Sequence, residues 1–298
     1  MNDMATFALP PASIHLDLDG ASDIFRMWGW RFEGEDTVFE SGLRNALDLF
    51  DANHIRASLF VITDSLHHPR KRALIEEAMR RGHEIGSHTI THPNLLRVDS
   101  ARKREEIAGS RERLERELGV KVRGFRAPGY RLDRECIELL AANGYAWDAS
   151  AFPTSVFSQR LRVPVERLMA PHRPVQGSGF LELPLPDHRP WPVPFNPSYS
   201  HLTGLTYYRW GLNRVRRRGM PLVMLFHLID FSDPLSAAQL QGWVSRIATL
   251  SNISGEKKKR GCQKMLDEIR ARYRIVPTSE LIAEVESQLS AAPAGGTP

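Results

Sequence analysis

The segment RASLFVITDSLHHPRKRALIEEAMRRGHEIGSH, residues 56–88, contains one complete strand–helix–strand unit. The apolar run at 56–64 predicts a buried strand, and apolar residues at helical spacing over 71–83, with Gly82 near the end, predict a helix. A second strand ends at His88. Because parallel strands joined by a helix form a right-handed crossover, the segment predicts a parallel sheet covered by helices.

The same alternation continues on both sides of this unit. Further strands are predicted at 13–20, 122–128, 145–150 and 221–231. Helices are predicted at 39–55, 100–119, 133–144, 205–219, 235–254 and 261–273, and a short strand with a final helix over 273–289. The pattern indicates an α/β fold, and in a barrel of this class the residues at the carboxyl ends of the strands form the catalytic face.

The chain is 298 residues long, which suits one large α/β domain or two small ones. We expect an N-terminal extension at 1–12, a domain over 13–288 with a proline-rich irregular insert at about 153–203, and a disordered tail at 289–298. The aromatic residues of the insert favour an ordered lid or substrate wall over disorder; they are Trp191, Phe195 and Tyr199.

Composition excludes few classes of protein. Hydrophobic residues are 42% and charged residues 25%, and the net charge is +5. The basic residues are spread along the chain, so no nucleic-acid partner is predicted. Two basic runs, at 214–219 and 256–261, are expected to be solvated surface; contact with an acidic membrane surface or a phosphate-bearing substrate is the alternative.

Targeting signals are not apparent in the sequence. The first residues lack the basic segment and long apolar run of a secretory signal, and no apolar run has the length of a membrane span. The two cysteines suggest no disulfide framework. We therefore expect a cytoplasmic protein. A further expected partner is the inner face of the membrane, contacted at its surface.

Two histidines and two aspartates follow predicted strands. His88 and His92 are four residues apart, a spacing that reaches one metal ion but also arises by chance among 11 histidines. Asp17 and Asp19 lie in LDLDG at 16–20, where an Asp-Gly turn is the alternative explanation. Two histidines with one carboxylate form a common catalytic set for a divalent ion, and the second aspartate is then a candidate general base.

Three more strand ends carry candidate residues. Arg126 would orient the Asp17 carboxylate, although a surface arginine is the alternative. Asp148 follows a fourth strand. His227 ends an apolar strand, where a buried structural histidine is the more common explanation; held by a carboxylate, it would be a general acid for a leaving amine.

Five motifs in order resemble the polysaccharide deacetylase family, the NodB-homology carbohydrate esterases. They are LDLDG at 16–20, HTITH at 88–92, RAPGY at 126–130, AWDAS at 146–150 and LFH at 225–227. The resemblance implies a distorted (β/α) barrel of about seven strands in a single domain, one divalent ion that is usually zinc, and hydrolysis of an N-acetyl or similar amide on a sugar.

The resemblance also implies roles for single residues. Asp19, His88 and His92 would be the metal ligands. Asp17 would be the base with Arg126 as its partner, and His227 would be the acid, oriented by Asp148. A backbone N–H near Tyr130 would help to hold the oxyanion.

The sequence departs from the family pattern at two places. Leu18 separates two aspartates that are usually adjacent and occupies the usual position of the base. Asp17, one residue earlier in the chain, must therefore supply the base. Because alternate strand residues share a face, Asp17 and Asp19 can still point to the same site. Gly129 is inserted before Tyr130, and this insertion can move the tyrosine off the site.

The expected substrate is an amino sugar bearing an N-acetyl or N-formyl group, in a nucleotide-linked or lipid-linked precursor of a surface polysaccharide. Trp28 and Trp30 follow the first motif and are candidates, with Tyr130, for the substrate wall; ordinary loop packing is the alternative for the tryptophans. Two other functions stay open. One is a non-sugar amidase acting on a ureide or cyclic amide, and the other is an inactive sugar-binding relative.

Overall fold

The computed structural model describes residues 9–152, 169–186 and 195–291. The strands in these ranges are β1 (Pro11–Asp17), β2 (Ser58–Val61), β3 (Glu84–Ser87), β4 (Gly124–Phe125), β5 (Trp147–Asp148), β6 (Leu181–Glu182), β7 (Leu222–His227) and β8 (Arg274–Ile275). The helices are α1 (Ala21–Met27), α2 (Thr37–Ala52), α3 (Pro69–Arg80), α4 (Ser100–Arg104), α5 (Ser110–Leu118), α6 (Arg134–Ala142), α7 (Pro197–Thr203), α8 (Leu205–Arg216), α9 (Gly242–Ala248), α10 (Gly255–Arg270) and α11 (Thr278–Ala291). Within the described ranges, no helix is both long and apolar enough to cross a membrane.

The strands form one curved parallel sheet in the order β6-β5-β4-β3-β2-β1-β7. The short strand β8 pairs with the first two residues of β1, and β7 occupies the other edge of β1 over 12–17. This is a half-barrel of seven parallel strands with helices around it, so the expected distorted (β/α) barrel in a single domain is confirmed.

Strand β1 is buried along its whole length but has two chemically different faces. Its apolar side chains pack outward into the main core beneath the helices; they are Ala12, Ile14 and Leu16, followed by Leu18. Alternation along a strand turns the intervening residues inward. The inward face therefore carries Ser13, His15 and Asp17, and this polar row leads toward the carboxyl end of the sheet.

The interior of the half-barrel has its own apolar cluster. Phe60, Trp147, Leu181 and Leu225 contribute to it from four different strands. The final helix α11 covers the amino-terminal end of this interior, where Thr278 Oγ1 lies 3.1 Å from His15 Nε2. The opposite, carboxyl end of the sheet is left to the functional residues.

Several predicted elements differ from the structure. The helix expected over 235–254 is reduced to α9, because Gly242 with positive φ interrupts the helical spacing. Part of the irregular insert is ordered: it contributes β6, and Asn196 caps α7 by accepting from the Tyr199 N–H. Helix α1 was not predicted at all. Residues 153–168 and 187–194, including Trp191, lie outside the described residues, as do 1–8 and 292–298. The division into extension, domain, insert and tail stays a prediction.

Gly124 allows β4 and β5 to approach each other closely. Its Cα pairs with that of Trp147, and a Cβ at residue 124 would lie 2.2 Å from the indole ring. The ring is buried and packs edge-on against Phe60, so it has little room to move. A side chain at residue 124 would therefore overpack the interior.

We expect Gly124→Ala to lower the free energy of unfolding by about 1–3 kcal/mol, the usual cost of overpacking a core. Urea denaturation followed by circular dichroism measures the change. Gly179→Ala is the matched control, because the added Cβ would meet its nearest neighbour at 3.8 Å. Equal stability of the two variants would contradict the close approach of β4 and β5.

Candidate metal and catalytic site

The candidate residues meet at the carboxyl end of the central strands. The register of β1 against β7 places Asp17 directly beside His227. Asp19 follows two residues later, and ligand atoms of Asp17, Asp19 and His227 lie within 4.8 Å of one another. Leu18, between the aspartates, is fully buried in the outer core, so the alternation of β1 continues past its last paired residue. Asp17 and Asp19 consequently face the same site.

Asp19, His88 and His92 form a compact group of three potential metal ligands. Asp19 Oδ1 is 3.3 Å from His88 Nε2 and 3.1 Å from His92 Nε2. All three atoms are buried and have no hydrogen-bond partner among the described residues. Converging lone pairs of this kind repel each other unless a cation lies between them, and two imidazole nitrogens with one carboxylate suit a divalent metal ion. The donor set therefore fits the expected metal.

His88 is held in the orientation that a metal ligand needs. Its Nδ1 donates to the Arg126 carbonyl oxygen at 2.8 Å, so the lone pair of the neutral ring lies on Nε2, toward Asp19. Burial opposes ionisation of Asp19, but the nearby charges of His92 and His88 hold the pKa of Asp19 well below its usual range. Asp19 is therefore a carboxylate at neutral pH.

The turn between the two histidines has an unusual backbone. Thr89 and His92 have φ values of 67° and 59°, in the left-handed region that few non-glycine residues adopt. The Thr89 Oγ1 accepts from the His92 N–H at 3.1 Å and fixes the turn from inside. Strain of this kind persists only where the surroundings hold it.

Glu106 is the main support of this turn from outside. It is fully buried and accepts the N–H of Ile90 at 2.7 Å, the N–H of Thr91 at 3.0 Å and the Thr91 hydroxyl at 2.6 Å. It lies in a π-helical segment, Glu105–Gly109, between α4 and α5. Such segments are frequent near functional sites because they redirect single side chains. Glu106 is a positioning residue that the sequence analysis missed, since π geometry leaves no clear trace in helical periodicity.

Arg126 is fully buried and contacts Asp17 directly. Its Nε is 3.2 Å from Asp17 Oδ1, the partnership expected from the sequence. Its Nη1 donates to the Ala149 carbonyl, and its Nη2 donates to His15 Nδ1 at 2.6 Å. Burial lowers the pKa of His15 well below its usual range and the Arg126 charge lowers it further, so His15 is a neutral acceptor. His15 was missed because a histidine within an apolar strand resembles ordinary core.

His227 faces the site with both ring nitrogens engaged. Its Nε2 is 3.3 Å from the Tyr130 hydroxyl and 3.9 Å from Asp17 Oδ2, and its Nδ1 is 3.2 Å from Ser198 Oγ. The side chain of Asp230 accepts the His227 N–H at 2.8 Å and fixes the end of β7. Ser198 lies in the predicted irregular insert, where the sequence offered no signal for it.

Asp148 does not orient His227, contrary to the sequence expectation. Its carboxylate accepts the Ser150 hydroxyl at 2.6 Å and the Ser150 N–H at 3.1 Å. The register of β5 against β6 places it beside Glu182. Burial raises the pKa of both carboxyls, and the Asp148 charge further raises that of Glu182 well above its usual range. The pair therefore retains a proton and supports the strand ends from behind the site.

Tyr130 remains at the site despite the inserted Gly129. Gly129 and Tyr130 have φ values of 56° and 60°, and this tight turn brings the phenol to His227. Burial raises the pKa of Tyr130 far above its usual range, so the phenol is a neutral donor. The Tyr130 N–H, however, donates to the Ala127 carbonyl at 2.9 Å. The N–H of Tyr130 itself is thus occupied, and a backbone donor elsewhere in the loop around Tyr130 stays a prediction.

A cavity of about 420 Å³ opens beside these residues and is lined by Asp17, Asp19, His92, Tyr130 and His227. Trp28 lines it as well, and its ring stacks on Trp30 with centroids 5.1 Å apart. Trp30 itself packs edge-on against Phe25, toward the core, and does not line the described cavity. Of the two tryptophans expected at the substrate wall, the structure places one there.

Comparison with known proteins identifies the class of this domain. The family model described as polysaccharide deacetylase matches residues 33–147. This part of the chain matches the polysaccharide deacetylase family, and the resemblance seen in the sequence is confirmed. This range contains His88, His92 and Arg126 but excludes Asp17, Asp19 and His227, so the Asp-x-Asp motif stands outside the match.

Two curated proteins share part of the sequence. The chain is 28% identical over 96 residues to the peptidoglycan-N-acetylglucosamine deacetylase of Bacillus cereus, covering 32% of this chain and 33% of that protein. It is 24% identical over 99 residues to the uncharacterized protein YlxY of Bacillus subtilis, covering 33% of this chain and 30% of that protein. The matched stretch thus spans about a third of the length of these relatives.

Two solved structures share the fold over almost the whole chain. The putative polysaccharide deacetylase from Mycobacterium smegmatis has a TM-score of 0.66 at 19% identity, covering 100% of this chain and 96% of that chain. Puue allantoinase has a TM-score of 0.59 at 15% identity, covering 95% of this chain and 92% of that chain. These likenesses establish the architecture.

We expect Glu106→Gln to weaken binding of a divalent metal ion about 10- to 100-fold, the usual effect of losing a residue that orients ligands. The glutamine keeps one acceptor oxygen for the three donors of the turn and loses the charge that pairs with Arg102, so the turn carrying His92 loses its support. Isothermal titration calorimetry measures the affinity. Glu105→Gln is the matched control, because its side chain is 47% exposed and contacts Arg102 at the surface. Equal affinities in both variants would contradict the role of Glu106.

Proposed function

We propose that this protein is a metal-dependent hydrolase that removes an N-acetyl or N-formyl group from an amino sugar. One observation carries the proposal: three unpartnered buried ligand atoms converge beside a carboxylate and a histidine that line the same cavity. The polysaccharide deacetylase domain supports hydrolysis of a sugar amide. The relative from Bacillus cereus is named for removing acetyl groups from N-acetylglucosamine in peptidoglycan.

Asp19, His88 and His92 would hold the metal ion, and zinc suits two imidazoles with one carboxylate and leaves coordination positions open. When bound, the ion would lower the pKa of a water and polarise the amide carbonyl. The chain's own residues supply the proton transfers.

Asp17 is the proposed general base. Its Oδ1 faces the Arg126 guanidinium, while Oδ2 points toward His227 and is available to accept a proton from the attacking water. The fixed positive charge of Arg126 keeps the carboxylate in place between turnovers. The buried position of Asp17 limits competing contacts with solvent.

His227 is the proposed general acid. Ser198 Oγ can accept a hydrogen bond from Nδ1, which leaves Nε2 toward the cavity to deliver a proton to the departing nitrogen. With Nε2 protonated, the Tyr130 oxygen accepts from it and the Tyr130 O–H is free to donate. Tyr130 thereby replaces the occupied backbone N–H as the donor to the oxyanion.

A non-sugar amidase acting on a small ureide remains the alternative. The spacing of Asp17 and Asp19 departs from the adjacent aspartates that are usual in the family, and this departure favours the alternative. The same base and acid would serve any small amide. A sugar-binding protein without activity is the second alternative, and the complete set of ligand atoms argues against it.

We expect Asp17→Asn to lower kcat by about 10²–10⁴-fold, since the base is lost. The assay measures acetate or formate released from methyl glycosides of N-acyl glucosamine, with a small ureide as a parallel substrate. Asp48→Asn, an exposed carboxylate on α2, is the matched control. Because Asp17→Asn leaves Arg126 without its counter-charge, His227→Gln is tested as well. Full activity in both site variants would refute the assignment, and turnover of the ureide alone would favour the alternative.

We expect zinc affinity to fall as the pH decreases through about 8. Burial opposes protonation of His88, but Asp19 and Asp17 raise the pKa of His88 to about 8 in the metal-free protein. A proton therefore competes with the metal below that value, by about tenfold per pH unit from this group alone. Titration calorimetry in buffers of different protonation enthalpy measures the proton released. Affinity independent of pH would contradict ligation by His88.

A further inference from the structure

The wall of the cavity away from the metal ligands is almost entirely apolar. Three short elements form it: the end of α1, helix α7 and helix α9. Large apolar side chains from these elements line the cavity and are exposed to solvent; they are Met27, Trp28, Leu202, Trp243, Val244 and Ile247. A contiguous exposed apolar surface of this kind marks a binding site more often than scattered exposed residues do.

Helix α9 shows the feature most clearly, because its amphipathic pattern is inverted. Trp243 is 75% exposed, the highest value of any large apolar side chain in the described residues, and Ile247 is 40% exposed. Ser245, by contrast, is fully buried and uses its hydroxyl to accept the Gln241 N–H at 2.7 Å. The helix thus turns its polar residue into the protein and its apolar face toward the cavity. Burial in the core does not explain these side chains.

Charge and polarity divide the cavity into two ends. Carboxylates and imidazoles are confined to the end that holds Asp17, Asp19 and His227. In the described part of the chain, no lysine or arginine lines the cavity, so the wall offers no cation for a nucleotide diphosphate. Two of the polar side chains near α7 are already engaged, since Asn196 caps that helix and Ser198 contacts His227.

Aromatic side chains also stack on sugar rings, but sugar hydroxyls need hydrogen-bond partners. Leu202, Val244 and Ile247 supply none, and neither does Met27. An aliphatic chain needs none and gains from each methylene removed from water. The wall therefore matches an aliphatic group better than a second sugar.

We infer that the substrate is an amphiphile whose aliphatic chain lies against α1, α7 and α9 while its amide reaches the metal ligands. The inference rests on the proposed function and narrows its substrate from any amino-sugar precursor to one carrying a lipid-like chain. The aliphatic chain can belong to either of two parts of the substrate. It is part of the aglycone, or it is the N-acyl group itself.

The test compares substrates that differ only in chain length. Methyl and octyl glycosides of N-acetylglucosamine vary the aglycone, and the methyl glycosides of N-acetyl- and N-octanoyl-glucosamine vary the acyl group, all below their micelle concentrations. In one of the two pairs, we expect kcat/KM for the octyl or octanoyl substrate to exceed that of the methyl or acetyl substrate by about tenfold or more. Extra methylenes in an apolar pocket have effects of this size. The arm that shows the increase identifies the position of the chain.

Trp243→Ala tests the wall itself. It should bring the ratio of kcat/KM for the long and short substrates close to one. Trp210→Ala is the matched control, because Trp210 is 41% exposed on α8 and does not line the described cavity. That variant should keep the ratio of the wild type.

Binding of octyl β-glucoside, which has no amide, is measured in parallel by calorimetry and separates the two hypotheses. Binding that is lost in Trp243→Ala supports the chain site even if no amide is hydrolysed, in which case only the proposed function fails. Equal turnover of long and short substrates together with no binding of the octyl glucoside overturns the inference and leaves the function intact. A third outcome is that the protein pellets with phosphatidylglycerol vesicles in a manner that depends on Trp243, while turnover shows no chain-length preference. That outcome would also overturn the inference and assign the wall to a membrane surface.

Discussion

The buried ion pair between Arg126 and Asp17 is the constraint on which the site depends. Both groups lie away from water, so the guanidinium must satisfy its charge and donors within the protein. Its charge faces Asp17 at the end of β1, and two of its donors bond the His15 ring on the same strand and the Ala149 carbonyl just after β5. The Arg126 carbonyl in turn orients His88. One residue thus couples the proposed base to a proposed metal ligand. Removing either partner of the ion pair would leave an unpaired buried charge, at a cost of about 3–5 kcal/mol.

The two histidine ligands depend on a second constraint, which is the strained turn between them. Left-handed φ values at Thr89 and His92 are unfavourable unless neighbouring groups fix them. Glu106 supplies that support from an adjacent helix whose π-helical turn directs the carboxylate inward. The geometry of the proposed metal centre is therefore a property of the packing of α4 and α5 against the turn, beyond the sequence of the turn itself.

The cavity joins these charged groups to an apolar wall, and this contrast sets the specificity that the site can have. The proposed hydrolytic groups lie at the carboxyl ends of β1 and β7 and would act on any amide that reaches them. Selection among amides would then fall to α1, α7 and α9, whose side chains line the cavity. The likeness to solved structures establishes the fold alone, since a shared barrel does not fix the substrate.

The sequence by itself determined the parallel α/β architecture, because strand–helix alternation is a local signal, and it located Asp17, Asp19, His88, His92, Arg126 and His227 through motifs at strand ends. It did not determine their partners. The position of Asp148 beside Glu182 follows from the pairing of β5 with a strand too short to show periodicity. Ser198 reaches His227 from a proline-rich segment, and His15 and Glu106 resemble ordinary buried residues until the strands and helices around them are assembled. Such contacts join residues far apart in the chain, so only the tertiary structure could decide them.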